Sequence, residues 1–156
     1  MPVTTRRANA ADLDALAPLF ADYRSFYEQP HDIAIARDFL QQRLSRDESI
    51  VFLAELDGAP AGFTQLYPMF SSVRAQRTFI LNDLFVADHA RRHGVAQALL
   101  SAAADFGRDN GAIRLELETM PDNHAAQALY RREGWQPNDT TLRFQLPLSQ
   151  IWSDDA

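Results

Sequence analysis

The sequence predicts an α/β protein, a central twisted mixed (α+β) sheet with helices on both faces. Three observations carry that reading. The apolar period switches between about 3.6 and 2 along the chain, in the order β-α-α-β-β-β-α-β-α-β. No Gly-, Ser- or Pro-rich stretch divides the 156 residues, so residues 1–156 are expected to form a single domain. Cysteine is absent while 46% of residues are hydrophobic, so the core must hold without disulfides or a Cys-ligated metal.

The elements follow in order. Val3–Arg7 is a short β-prone run. Asn9 with Asp12 three residues on reads as an N-cap and its N3 acid, opening a helix. Leu13, Leu16, Leu19, Phe20 and Tyr23 fall on one face of it, and Pro18 inside the pattern predicts a kink or a split. Asp32 caps a second helix with Ile35, Phe39, Leu40 and Leu44 as its stripe. Ser49–Leu56 is a strand, Asp57-Gly58 a hairpin turn, and Ala61–Phe70 the returning strand. Ser71–Gln76 is a polar loop and Thr78–Val86 (TFILNDLFV) a long strand. Gly94–Asn110 is helical and closed by Gly111, Ile113–Thr119 is a strand, and Asn123–Glu133 is a helix ended by Gly134. Thr141–Pro147 is the last predicted strand, and the Ile151-Trp152 tail is expected to pack on the chain's own core.

The charge pattern excludes several partners. All fifteen basic residues are arginines, set against 21 acidic ones for a net charge of −6. Without a broad basic face, neither nucleic acid nor an anionic membrane is an expected partner. No apolar run is long enough to span a bilayer, and MPVTTRRANAADL lacks the apolar segment of a secretory signal. A soluble, cytoplasmic protein is expected. His31, His89, His93 and His124 do not fall in ligand spacing, so no metal is expected.

Two motifs carry chemistry. In the first, a strand ends at Val86 and Arg91-Arg92-His93-Gly94-Val95-Ala96 opens a helix. A helix start presents unpartnered N–H groups and a positive dipole end. Gly94 permits positive φ and close approach, Ala96 is small, and Arg91 and Arg92 add charge, which together suit a pyrophosphate. The plainer alternative is a helix beginning with solvated arginines. No G-x-x-x-x-G-K-[ST] or G-x-G-x-x-G pattern occurs, so a P-loop or dinucleotide fold is unsupported. In the second motif, Asn123-x-x-Ala126-x-x-x-Tyr130-x-x-x-Gly134-Trp135, Asn123 and Tyr130 stand about two helical turns apart on one face. Ala126 on that face leaves room for a slender ligand. By itself, Tyr130 reads rather as an aromatic anchor packing on the sheet with its hydroxyl at the rim.

Taken in this order with a strand between them, the two motifs resemble those of the GNAT (Gcn5-related) N-acetyltransferase superfamily, as does the element order from Val3 to Pro147. The resemblance implies acetyl-CoA as co-substrate, with its pyrophosphate on the backbone amides of Arg91, Arg92, His93, Gly94, Val95 and Ala96. It implies a pantetheine arm beside Leu84, Phe85 and Val86, in a gap where two parallel strands splay, with Asn123, Ala126 and Tyr130 facing it. Arg92 stands where many members carry glycine. Tyr130 would be the general acid. The position of a glutamate base in several members is occupied here by Asn82, which takes no proton. Its neighbour Asp83 can, but adjacent strand residues face opposite sides unless a β-bulge, common in this strand of the family, re-aims one. Asp83 equally suits a sheet anchor or a water-positioning role. Glu28, Glu116 and Glu118 are further candidates, with Glu118 read as a solvated strand residue.

The acceptor should lie near Tyr23, Phe26, Tyr27, Glu28 and His31, of which Tyr23 and Phe26 read as core. Tyr27, Glu28 and Asp83 would suit a small cationic amine: a diamine, a polyamine or an amino-acid-like compound. The run LNDLFV is similar to the corresponding strand of diamine and thialysine acetyltransferases over a few residues. Protein N-termini, protein lysines and aminoglycosides stay open as acceptors, as does a homodimer. An acyl-CoA-binding sensor is the alternative in which Asn82 marks lost catalysis.

Overall fold

The computed structural model describes residues 2–149, in two compact units that meet between Met120 and Pro121. The first unit runs β1 (Val3–Arg7), α1 (Leu13–Phe26), α2 (Ile33–Ser45), β2 (Ile50–Leu56), β3 (Ala59–Ser71), β4 (Gln76–Val86), α3 (Val95–Asp109) and β5 (Leu115–Glu116). The sheet order is β1-β2-β3-β4-β5, antiparallel throughout except for the parallel β4–β5 pair. The second unit carries α4 (His124–Arg132).

Alternation along the strands divides the core into two layers. Val51, Leu53 and Phe63 pack with Leu16, Leu19 and Phe20 of α1 and Leu40 of α2. On the opposite face, Phe52 and Phe79 meet Phe106 of α3 edge-on, with centroids 5.8 and 5.3 Å away. Helices therefore cover both faces, as the periodicity predicts.

Local chemistry explains the element ends. Asn9 accepts from the Ala11 N–H and Asp12 from the Asn9 N–H, each at 2.8 Å, and Arg6 clamps the Asp12 carboxylate at 2.7 and 3.0 Å. Asp57 and Gly58 take φ of 51° and 80°, the two left-handed positions of a tight hairpin turn. Pro18 does not split its helix: α1 runs unbroken through it. Both Pro18 and Asp14, whose carbonyl loses its helical partner, lie on the exposed side of the helix.

Two strand assignments need correction. Ile113 donates to the Arg77 carbonyl at 2.9 Å and the Phe79 N–H to the Arg114 carbonyl at 3.3 Å, but of Ile113–Thr119 only Leu115 and Glu116, just after, are in strand register, opposite Phe79 and Ile80. The two strands separate there, leaving the far edge of residues 81–86 without a β5 ladder among the described residues. Thr141–Pro147 forms no strand. Period-2 alternation marks a face but names no partner, and Pro147 cannot donate to a ladder. Ile151 and Trp152 lie outside the described residues.

One irregularity builds the site. Gln65 pairs with Asp83 but Leu66 pairs with Leu81, so Asn82 is an extra residue, a β-bulge. Phe79 lies against α3, whereas Phe85, an even number of residues later, lies 6.2 Å from Tyr23 of α1. An uninterrupted strand would put both on one face. The bulge turns Asp83 and Phe85 toward α1.

Candidate active site

Asp83 is buried, with 4% of its surface exposed. Gln65 Nε2 donates to its Oδ2 at 2.5 Å and Asn82 Nδ2 to its Oδ1 at 3.0 Å, and the Tyr23 hydroxyl also acts on the carboxyl. Thr64 Oγ1 fixes its backbone by donating to the Asp83 carbonyl at 2.8 Å. All the side-chain donors to the carboxyl are neutral. Burial pushes the carboxyl above the ordinary carboxylate range, and Gln65, Tyr23 and Asn82 only partly offset this.

Tyrosines line the same region. Tyr23 stacks edge-on with Tyr27 and Phe63 at 5.2 and 5.7 Å. Burial, then the nearby Asp83, raises the Tyr23 and Tyr27 hydroxyls and pushes Tyr67 up to about 12. These phenols stay protonated at any ordinary pH, so they serve as donors and as an aromatic surface.

The structure separates the candidates. Tyr27, 43% exposed, stands at the rim with Tyr23 behind it. Phe26 was expected in the core but is 64% exposed, because α1 ends there. Glu28 closes α1 in the left-handed conformation (φ 64°), is exposed, and is not among the groups acting on Asp83. His31 pairs instead with Asp22 at 2.9 Å. Glu116 pairs with Arg114 at 3.0 Å, and Glu118 is exposed. Asn82, also exposed, holds Asp83. Tyr23 and Gln65 were missed as site residues; the polar Gln65 inside the apolar run AGFTQLY was the available signal.

Beyond the bulge, Leu84, Phe85 and Val86 pair with Thr64, Phe63 and Gly62 of β3. A Cβ on Gly62 would run into the Phe85 carbonyl, with Val86 Cα and Val95 Cγ1 each at 3.3 Å. Glycine there lets the end of β4 and the start of α3 close on β3. Arg91 donates to the Val86 carbonyl at 3.4 Å and pairs with Asp88 at 3.0 Å, tying the connection down. Gly94 caps α3 at φ 80° with no side-chain hydrogen bond to the helix start. The first helical bond runs from Ala98 to Gly94, so the N–H groups of Val95, Ala96 and Gln97 have no helical acceptor. A Cβ on Gly94 would meet nothing within 4 Å, so the turn is open at that position. His93 is exposed in this turn, and Arg92 takes φ 65°, a conformation that costs a non-glycine residue about 1–2 kcal/mol. That explains why glycine suits this position.

In the second unit, Asn123 caps α4 by accepting from the Ala126 N–H at 3.2 Å. Tyr130 follows two turns on, its ring 6.2 Å from Trp135, and Gly134 turns the chain at φ 93°.

A mixed five-stranded sheet with helices on both faces and a glycine-capped helix start beyond β4 is the fold of acetyltransferase structures. The chain belongs to the acetyltransferase (GNAT) family, whose model matches residues 15–135, and it is an N-acetyltransferase. It is 49% identical over 141 residues to YhfO of Bacillus subtilis (strain 168), named an uncharacterized N-acetyltransferase, covering 90% of this chain and 95% of that one. A crystal structure described as a "probable acetyltransferase" superposes with a TM-score of 0.88 at 40% identity, over 96% of this chain and 99% of that one. The thialysine N-epsilon-acetyltransferase of Caenorhabditis elegans is 32% identical over 93 residues, 54% of this chain and 58% of that one.

Proposed function

We propose that the chain acetylates a primary amine of a small cationic compound, with acetyl-CoA as the donor and Asp83 as the group that receives the ammonium. The observation that carries this reading is the buried Asp83 carboxyl, turned by the bulge toward α1 among tyrosines and neutral donors. A lysine-like ammonium must lose a proton before it attacks, at a cost of about 4.6 kcal/mol at pH 7. A carboxyl whose proton affinity is raised by burial is suited to take that proton, and the aromatic surface of Tyr23 and Tyr27 suits the cation.

Acetyl-CoA would supply the activated acetyl thioester. The N–H groups from Arg92 to Ala96 and of Gln97 are the donors for its phosphates, supported by the Arg92 charge, whereas the Arg91 N–H, expected in the same set, is given to the Asp88 carbonyl at 3.4 Å. The unladdered edge of Leu84, Phe85 and Val86 offers backbone groups to its amide-bearing arm, and Asn123 and Ala126 are assigned to the same arm. Tyr130 is assigned as the acid whose O–H protonates the departing sulfur. Asn82 is given a holding role on Asp83. The family match crosses from one compact unit into the other, which supports reading both as one catalytic domain.

The thialysine acetyltransferase relative favours a side-chain amine on a small zwitterionic acceptor. Thiol release from acetyl-CoA across diamines, polyamines, thialysine, an aminoglycoside and lysine or N-terminal peptides tests the proposal. Small diamines or thialysine should lead. Turnover confined to peptides would overturn the acceptor class, and acetyl-CoA binding without turnover would favour the sensor.

A further inference from the structure

Gln65 sits in the middle of β3 with 0% of its surface exposed, in a strand segment whose other residues from Ala61 to Leu66 are also buried. Its two ends are treated differently. Nε2 donates to Asp83 Oδ2 at 2.5 Å, while Oε1 is sealed from solvent and accepts no hydrogen bond. An unpaired buried acceptor costs about 1–3 kcal/mol, and leucine or methionine would fill this volume without that cost. The fold retains an amide whose only paired end is aimed at one carboxylate oxygen.

The groups around Asp83 show why that end matters. Gln65 of β3 and Asn82 of its own strand bond it, and its charge acts on the hydroxyls of Tyr23 on α1, Tyr27 just past the end of α1 and Tyr67 on β3. The cation acting on this cluster is Arg43, which acts on Tyr67 rather than on Asp83. Neutral hydrogen-bond donors are therefore what favours the ionised carboxyl.

Resting on the reading of Asp83 as base, we propose that Gln65 is a positioning residue that holds Asp83 as a carboxylate in the empty site, so that its Oδ oxygens are ready to accept the acceptor's proton. One N–H bond of the ammonium breaks and one Oδ–H bond forms; the nitrogen keeps the electron pair and becomes the nucleophile. The proton leaves Asp83 for solvent once the amide product departs.

The test compares kcat/KM against pH for the wild type, Gln65→Leu, Gln65→Met and Asp83→Asn, alongside the carboxyl-carbon NMR titration of Asp83 in the free protein. In both Gln65 variants the acidic limb and the carbon midpoint should move up by one pH unit or more. That is a tenfold loss below the limb, with the high-pH plateau within about twofold of wild type. Below the acidic limb, where Asp83 is protonated, melting temperature should not fall with Gln65→Leu, since the orphaned acceptor goes with the side chain. A limb and midpoint unmoved in both variants, with the limb abolished in Asp83→Asn, would overturn the proposal and leave the base intact. A limb that survives Asp83→Asn would remove the base reading instead. The carbon midpoint then decides on Gln65 alone: raised in the variants it supports the hold, unmoved it overturns it.

Discussion

Phe79 and Phe85 stand on the same strand, an even number of residues apart, yet point to opposite faces of the sheet. Phe79 packs on Phe106 of α3 at 5.3 Å and Phe85 on Tyr23 of α1 at 6.2 Å. The residue that separates their faces is Asn82, which has no partner of its own on β3. The same half-turn brings Asp83 out of line with Leu81 and under Tyr23.

Deleting Asn82 would leave Leu66–Leu81 and Gln65–Asp83 as consecutive pairs, with every later side chain on its present face. The deletion variant is therefore expected to fold, losing less than about 2 kcal/mol in urea denaturation. It should lose activity, because the Oδ1 anchor of Asp83 goes with it. An unfolded product would show that the register is wrong.

The raised carboxyl of Asp83 has a consequence for stability. Its contribution is full below the ordinary carboxylate range and is lost as pH rises through the folded-state value, because ionising it in the buried site costs free energy. Asp83→Asn should match wild type near pH 4 and melt progressively higher than wild type as pH increases. A constant difference across pH, read by calorimetry, would contradict the assignment.

Gly62→Ala places a Cβ against the Phe85 carbonyl, a backbone atom that cannot rotate away. A loss of about 1–3 kcal/mol is expected. Affinity for acetyl-CoA should fall with it, because the ends of β4 and α3 must shift. Gly94→Ala has open space and should cost only the strain of φ 80°, about 1–2 kcal/mol. Equal effects of the two changes on CoA titrations would argue against the close approach at Gly62.

Tyr130→Phe removes only the phenolic O–H. If that group protonates the leaving sulfur, kcat should drop by roughly 10²–10⁴ with acetyl-CoA binding intact. Unchanged turnover in a stopped assay would reassign Tyr130 to packing beside Trp135.

Much of this architecture was legible in the residues because local chemistry decides it. Asp57-Gly58 must turn, Asn9 with Asp12 must cap, and Gly94 must open a helix, whatever lies elsewhere. What depends on a partner across space was not legible. The run TFILNDLFV permits a bulge, but the pairing with β3 decides that Asn82 is the residue left out. Tyr23 reads as core because its ring does pack there; only its hydroxyl reaches Asp83. Of the kink or split that Pro18 predicts in α1, the split does not occur, because Pro18 and Asp14 lie on the exposed side. Thr141–Pro147 has the alternation of a strand without a ladder to join.

The most direct measurement is steady-state kcat for Asp83→Asn against wild type at the pH optimum, with acetyl-CoA and the best amine of the panel. A carboxyl that takes the ammonium's proton predicts a fall of 10²-fold or more while acetyl-CoA still shifts the melting temperature. Turnover within about twofold of wild type would contradict the account.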